Sequence, residues 1–327
     1  MDWGELQQWV IGNLVDPVDR SPLTWNEGSL ENSRTGASYP VLGGVPVLLS
    51  QSIRGTHPGL KQIDDQVAEL SRTGQSPLPP EVLHPFVRRE LAATGGYLYR
   101  SIQYSVSEYP IPQIRLAPRE PGGVLLDVGC NWGRWAISAA RAGIPSVGVD
   151  PSLEAVLVAN QICRDLELPC FFIAADARFL PFRAGSFSQV FSYSTIQHLS
   201  KSNAALSVSE MARVLEPDGE VLVQMPNRAG LRSLYHWTRR RFGPGSGFDV
   251  RYYSLPELER LFEPFFKDIR LEVDGYFGLG IQKDDRKYMP PRNRAIIDAS
   301  EALRRAQRVV PSLIRVADSV YIRAWKD

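Results

Sequence analysis

The chain of 327 residues predicts an α/β protein, a doubly wound sheet preceded by a small β-rich module and a helical connector. Three observations carry this. From Gly122 onward, short continuous apolar runs alternate with amphipathic stretches of helical period, the pattern of a parallel sheet covered on both faces. The first of those runs ends in a glycine-bearing turn that opens a helix. The length, at about 150 residues per domain, suggests about two folded units.

Residues 1 to about 50 read as short, turn-rich and β-leaning, and Tyr39 to Leu49 places a Gly43-Gly44 turn between two apolar runs, as a hairpin requires. From Pro58 to about Tyr109 the period becomes helical. Leu60, Ile63, Val67 and Leu70 recur at helix spacing, and Val82, Phe86 and Leu91 do so after the breaker Pro77-Leu-Pro-Pro80. The strands expected next are Val124 to Val128, Ser146 to Val149, Cys170 to Ala174, Phe187 to Tyr193 and Glu220 to Met225. Helices are expected at Arg134 to Arg141, Leu153 to Leu166 and Ala204 to Leu215. A basic, glycine-broken stretch, His236 to Gly245, precedes a helix capped by Ser254 with Glu257 three residues on. Two final strands near Ile269 to Val273 and Val320 to Trp325 flank a helix from about Asn293 to Val309. These boundaries divide the chain into a module at 1–50, a connector or lid at 51–118, and a main domain at 119–327 with insertions at about 227–265 and 277–316.

Composition narrows the function. Apolar residues make up 43% and charged residues 22%, which excludes a disordered or collagen-like chain. With 37 basic against 36 acidic side chains the net charge is +1, so nucleic acid is not an expected partner. Three cysteines, Cys130, Cys163 and Cys170, lack metal or disulfide spacing and read as buried thiols of a cytoplasmic protein. The start lacks a basic leader, and no apolar run approaches the ~20 residues of a membrane span.

The chemistry concentrates in Val124-Leu-Leu-Asp-Val-Gly-Cys-Asn-Trp-Gly-Arg134. A glycine at such a turn removes the Cβ obstacle to a ligand near a helix N-terminus. A dinucleotide site prefers G-x-G-x-x-G, and only Gly129 matches, which weakens a dehydrogenase reading. Asp127 at the strand end is poorly placed beside a pyrophosphate and well placed to hold an amino group. Asp150, ending the second strand, can accept both ribose hydroxyls, a feature that alone would also suit a nicotinamide cofactor. Asp176, ending the third, can accept from an adenine amino group while the next backbone N–H meets a ring nitrogen. Three acidic strand ends in series are more specific than the glycine turn.

At these residues the sequence resembles the class I S-adenosylmethionine-dependent methyltransferases, in particular those acting on small molecules. Asp127-Val-Gly-Cys-Asn-Trp-Gly133 is similar to their D-x-G-x-G-x-G motif, with Asn131 at the middle glycine. Val149-Asp150-Pro-Ser152 resembles their ribose motif and Ala175-Asp176-Ala177 their adenine motif. Phe191 to Leu199 and Met211 to Val223 resemble the fourth-strand motif and the turn into strand five. The resemblance spans roughly Gly122 to Asn227. It implies a Rossmann-like seven-stranded sheet, S-adenosyl-L-methionine as cofactor, and a cofactor site of Asp127, Gly129, Cys130, Asn131, Trp132, Gly133, Asp150, Pro151, Ser152, Asp176, Ala177, Ser192 and Tyr193. Asparagine tolerates left-handed backbone, so Asn131 is expected to preserve binding. Trp132 either covers the methionyl end or packs beneath the helix, and Tyr193 either orients the acceptor or belongs to the core.

Methyl transfer needs positioning and desolvation, with a base only where the nucleophile starts protonated. His198, after the fourth strand, is the candidate base, although a histidine there can also be a packing residue. Gln197, His236 and Arg239 are candidate acceptor contacts, the last within a basic run that equally reads as a solvated face. His57 and His84 fall in the connector and read as solvent or packing residues. No spacing assembles a metal site.

The first 50 residues resemble zinc-ribbon-like activator modules of methyltransferases, through Asp16-Pro-Val-Asp19-Arg-Ser-Pro-Leu23 and Ser38 to Leu49. Asp16 and Asp19 stand where the first cysteine pair is expected, and Asn32 and Thr35 near the second. A metal-free ribbon is therefore expected, with a hard-cation site at Asp16 and Asp19 the alternative. The helix carrying Ile296, Leu303, Val309 and Val310 reads as an amphipathic cover of the sheet, with membrane-surface or dimer contact as its other readings. The expected activity is methylation of a hydroxyl, or else an amine, on a small metabolite or saccharide. An RNA methyltransferase and a catalytically idle activating subunit are the competing readings.

Overall fold

The computed structural model describes residues 1–26, 28–49, 83–119, 122–239, 241, 249–278 and 281–327. The helical period at Leu60 to Leu70, with His57, lies outside them, as do Arg240 and Phe242.

A seven-stranded sheet organises the chain. In sequence order its strands are β5 (Leu125–Val128), β6 (Ser146–Asp150), β7 (Cys170–Ala174), β8 (Phe187–Tyr193), β9 (Leu215–Pro226), β10 (Phe266–Gly275) and β11 (Ser319–Lys326), and their spatial order is β10-β11-β9-β8-β5-β6-β7. Strands β5, β7 and β8 are buried at every residue, which is why they read as unbroken apolar runs. Helices α3 (Arg134–Arg141), α4 (Leu153–Asp165) and α5 (Lys201–Val214) connect the parallel strands. The order reverses between β5 and β8, both bonded in parallel to their neighbours, and an open α/β sheet binds ligands at such a reversal.

An all-parallel sheet is corrected in one respect: β11 runs antiparallel to both β9 and β10. The chain reaches β11 from helix α8 (Pro291–Ala306) and needs no crossover to insert in that direction. Strand β10 is thereby parallel to β9, and both end on the same edge as β5 and β8.

Two further corrections concern helices. Residues 3–13, expected to lean toward β structure, form α1 (Trp3–Asn13), closed by a capping box in which Glu5 N–H donates to Asp2 and Asp2 N–H to Glu5, both at 2.8 Å. Leu6 and Val10 of α1 are fully buried. Part of the expected glycine-broken basic stretch is α6 (Leu231–Arg239). Its first-turn N–H groups at Arg232 and Ser233 donate to Asp318 Oδ1 at 2.6 and 3.1 Å, so its cap comes from the far end of the sequence. The helix α7 (Leu255–Phe262) has the expected Ser254 and Glu257 capping box, and α2 (Pro85–Thr94) carries the buried Phe86 and Leu91.

The first 50 residues add a four-stranded antiparallel sheet, β1 (Thr24–Asn26), β2 (Ser29–Glu31), β3 (Ser38–Leu42) and β4 (Val45–Pro46). The turns at 16–19 and 32–35 face each other through hydrogen bonds. Asn32 Nδ2 donates to Asp16 Oδ2 at 2.7 Å and to Asp19 Oδ2 at 3.1 Å, and Tyr39 Oη donates to Asp16 Oδ2 at 3.0 Å. Asn32 Oδ1 accepts from the N–H groups of Arg34 and Thr35, while Asp19 accepts from Ser21 and Arg34. Hydrogen bonds from Ser21 hold the Asp19 carboxyl far below its ordinary range. The module sits on the main sheet: Leu48 N–H donates to Ala174 O at 2.8 Å, Trp9 packs edge-on to Phe187, and Arg20 pairs with Glu210 at 2.8 Å.

Asn32 is 1% exposed and joins both turns. Asn32→Ala leaves the buried Asp16 short of a donor and should lower unfolding free energy by about 2 kcal/mol. An unchanged urea midpoint would contradict this bridging role.

Candidate cofactor site

The turn after β5 hangs from the end of β6. Gly129 and Cys130 N–H groups both donate to Val149 O, at 2.8 and 3.0 Å, and Asn131 N–H donates to Asp150 Oδ2 at 2.9 Å. Gly129, Asn131 and Gly133 all have positive φ, at 79°, 47° and 79°. Asn131 steadies its left-handed backbone by accepting from Trp132 N–H at 2.7 Å, so the departure from a middle glycine is accommodated. The glycines are demanded by packing as much as by ligand approach. A Cβ on Gly129 would collide with Thr195 Oγ1, and one on Gly133 would lie 2.9 Å from the Phe172 ring.

Asp127 is 1% exposed. Its Oδ2 accepts from Ala136 N–H in the first turn of α3 at 3.1 Å, while Oδ1 is buried with no partner among the described residues. Burial, reinforced by the Asp150 charge, pushes this carboxyl up to about 8. A buried, unsatisfied carboxyl oxygen at a sheet reversal calls for a cationic or donor partner.

Asp150 ends β6 half-buried, its two oxygens accepting from Asn131 and Ser152 N–H groups at 2.9 Å each. An ionised carboxylate at a strand end is a strong acceptor, the chemistry that a diol needs from its partner. Pro151 is half-buried, and Ser152 caps α4 by accepting from Ala155 N–H.

Five expected site side chains are engaged in the protein interior. Asp176 accepts from Arg178 N–H, Nε and Nη2 at 2.8, 2.9 and 2.5 Å, so an arginine that the motif did not reveal braces the expected adenine acceptor. Ala177, beside it, is half-buried. Trp132 is fully buried, and its Nε1 donates to Thr94 Oγ1 at 3.0 Å, which makes it packing under α2 rather than a cover for ligand. The Tyr193 side chain is corrected from site to core. Its ring contacts Trp135 and Tyr321, and its hydroxyl donates to Asp274 Oδ2 at 2.7 Å. Ser192 Oγ donates to Val128 O at 2.8 Å and ties β8 to β5. The Cys130 thiol is buried, and burial pushes it well up, so it is inert packing.

On the acceptor side, His198 ends a short 3₁₀ turn (Ile196–His198) after β8 and is half-buried. Gln197 Nε2 lies 3.3 Å from His198 Nε2 and donates to Ser194 Oγ at 2.6 Å. Arg251 fixes the turn from the opposite side, its N–H donating to Gln197 O at 2.8 Å and its Nη1 to His198 O at 2.6 Å. His236 and Arg239 lie on α6, where Arg239 is exposed and contacts Tyr235. His84 caps α2 by accepting from Phe86 N–H, and burial lowers its pKa.

Residues 125–219 match a family profile described as a methyltransferase domain. This segment is a methyltransferase domain. The methyltransferase family concerned uses S-adenosylmethionine. Over 115 residues the chain is 30% identical to "Probable tRNA methyltransferase 9B" of Homo sapiens, covering 34% of this chain and 24% of that one. Over 104 residues it is 28% identical to "Ubiquinone biosynthesis O-methyltransferase" of Agrobacterium fabrum, covering 32% and 41%. The chain thus spans less than half the length of either relative. Among solved structures, the Haemonchus contortus phosphoethanolamine N-methyltransferase 2 complex with S-adenosyl-L-methionine aligns with a TM-score of 0.44 at 21% identity, covering 65% of this chain and 50% of that one. The unsatisfied Asp127 oxygen and the half-buried Asp150 carboxylate of the methyltransferase domain fit a cofactor with an amino group and a diol.

Gly129→Ala combines a left-handed alanine, which costs about 1–2 kcal/mol, with the clash against Thr195. It should lower the melting temperature and weaken S-adenosylhomocysteine binding together, as differential scanning calorimetry and titration calorimetry would show.

Proposed function

We propose that the chain is an S-adenosylmethionine-dependent methyltransferase that methylates a hydroxyl group of a small molecule. The observation that carries the reading is the buried Asp127 oxygen beside the β5 turn, which has no partner among the described residues. When bound, S-adenosylmethionine supplies an electrophilic methyl group on a sulfonium. In this reading Asp127 holds the amino group of the cofactor and Asp150 its ribose hydroxyls. Asp176 is braced by Arg178, so the adenine edge falls chiefly to the backbone at Ala177. A hydroxyl nucleophile must lose a proton, and His198, held by Gln197 and Arg251, is the candidate base. The O-methyltransferase name of one relative agrees with a hydroxyl acceptor.

The second reading, an RNA acceptor, is favoured by the tRNA methyltransferase relative and opposed by the net charge of +1. The N-terminal sheet is read as a ribbon in which the Asp16, Asn32 and Tyr39 hydrogen bonds stand in for a metal. A cytoplasmic site is supported by three buried, unpaired cysteines. No helix among the described residues is long and apolar enough to cross a membrane.

The direct test is transfer of isotope-labelled methyl groups into an extract of the native host. Label in the low-mass fraction supports the reading, and label confined to RNA overturns the small-molecule acceptor. Asp127 adds a pH signature. Below about pH 8 its carboxyl is mostly protonated in the free protein, and pairing with an ammonium group requires the carboxylate, so binding releases a proton. Affinity for S-adenosylhomocysteine should therefore rise by up to about tenfold per pH unit between about pH 6 and 8, and Asp127→Asn should abolish the slope. Calorimetry in buffers of different ionisation enthalpy measures the released proton, and a flat profile would remove the amino-group assignment. His198→Ala should slow turnover by roughly 100-fold while leaving S-adenosylhomocysteine affinity intact. Unchanged turnover dismisses the base.

A further inference from the structure

Beyond the carboxyl ends of β9 and β10 lies an open cavity of about 690 Å³, bordered by α6, α8 and the 3₁₀ segment Tyr97–Ser101. Its walls are apolar, with Leu231, Phe277, Ile296 and Ala299 among them. Against these stand Arg232 and His236, one helical turn apart on α6. Arg232 Nε donates to His236 Nε2 at 3.2 Å, and the guanidinium lies 3.4 Å from the centre of the Tyr97 ring. The two terminal nitrogens of Arg232 have no hydrogen-bond partner among the described residues, so the fork is held by its face and its inner edge with its outer edge open.

The cavity is built by one buried carboxylate. Asp318, 1% exposed, caps the first turn of α6 through Oδ1 and accepts Phe277 N–H through Oδ2 at 2.6 Å. Phe277 has φ of 62°, a left-handed conformation that a bulky residue adopts only when its surroundings impose it. The same side chain therefore fixes the wall carrying Arg232 and the wall carrying Phe277. Both walls follow strands that end on the sheet edge holding Asp127 and His198.

We propose that this cavity is the acceptor pocket, and that it takes an aromatic acceptor bearing one anionic group set against Arg232. The assignment rests on the methyltransferase reading above for its word acceptor, and on the pocket alone for its ligand chemistry. A saccharide fits poorly, because its hydroxyls would be desolvated against leucine, phenylalanine and isoleucine without return hydrogen bonds. A flat apolar body loses nothing there, and the Arg232 fork matches a paired-oxygen anion such as a carboxylate or sulfonate.

The test uses two fluorescent probes on the full chain, 1-anilinonaphthalene-8-sulfonate and its uncharged counterpart N-phenyl-1-naphthylamine, with S-adenosylhomocysteine titrated in parallel by calorimetry. The sulfonate should bind saturably at one site. Ala299→Trp, on an exposed helix face, should fill the cavity and weaken both probes by about tenfold or more, while Arg232→Gln should weaken the sulfonate by about tenfold and spare the neutral probe. Both variants should bind S-adenosylhomocysteine as the parent does, which shows that they fold. Unsaturable fluorescence, or binding that Ala299→Trp leaves unchanged, overturns the pocket. Equal loss of both probes in Arg232→Gln overturns the anionic group. A parent chain that binds the sulfonate here but no S-adenosylhomocysteine keeps the site and defeats the methyltransferase reading.

Discussion

Three successive backbone N–H groups, at Gly129, Cys130 and Asn131, are bonded to the last two residues of β6, and the geometry of the cofactor cleft follows from that attachment. It sets the turn of β5 against the end of its neighbour, brings Asp127 and Asp150 close enough to influence each other's charge, and starts α3 at the correct angle. The cost is conformational. Three residues in five adopt the left-handed region, and the β8 loop approaches so closely that Thr195 occupies the space a side chain at Gly129 would need.

A second network joins this turn to the rest of the protein. Arg134, the first residue of α3, is 2% exposed and donates to Pro110 O, Thr94 O and Asp285 Oδ1 at 2.8, 2.9 and 3.2 Å. Asp285 also accepts from Tyr99 Oη at 2.7 Å, and burial raises its carboxyl while Arg134 draws it down. A buried ion pair of this kind contributes little net stability, because desolvation offsets its attraction, but breaking it strands a charge. Its effect here is to fix the connector and the segment before α8 relative to the cofactor turn. Tyr97, which stacks on Arg232, lies two residues from Tyr99 on the same 3₁₀ segment.

The strands of the main sheet were legible because burial on both faces makes them unbroken apolar runs, and the acidic strand ends were legible because each stands within two residues of its strand's last residue. What stayed hidden depended on partners distant in sequence or on competing local signals. The cap of α6 is Asp318, 86 residues from Arg232, so no local signal marked the helix start. Strand β8 is buried at every residue, so alternation could not tell which way Tyr193 faces, and its hydroxyl partner Asp274 lies in another strand. The start of α1 at Asp2 and Glu5 went unread, because Gly4 and Gly12 interrupt a helical period only eleven residues long. Arg178 was visible two residues beyond Asp176, yet only the folded turn brings its guanidinium back onto that carboxylate.

The seat of the N-terminal module also bears on self-association. Strand β7 is one edge of the main sheet, and the exposed backbone of an edge strand invites pairing with another chain. Here Leu48 bonds to the last residue of that strand and Val47 forms a bridge to it, so the chain covers the end of its own open edge. A second copy cannot add a strand at that end without first displacing the module. The opposite edge, β10, carries Lys267, Asp268, Arg270 and Glu272 instead, and there mixed charge does the guarding that a covering segment does at β7.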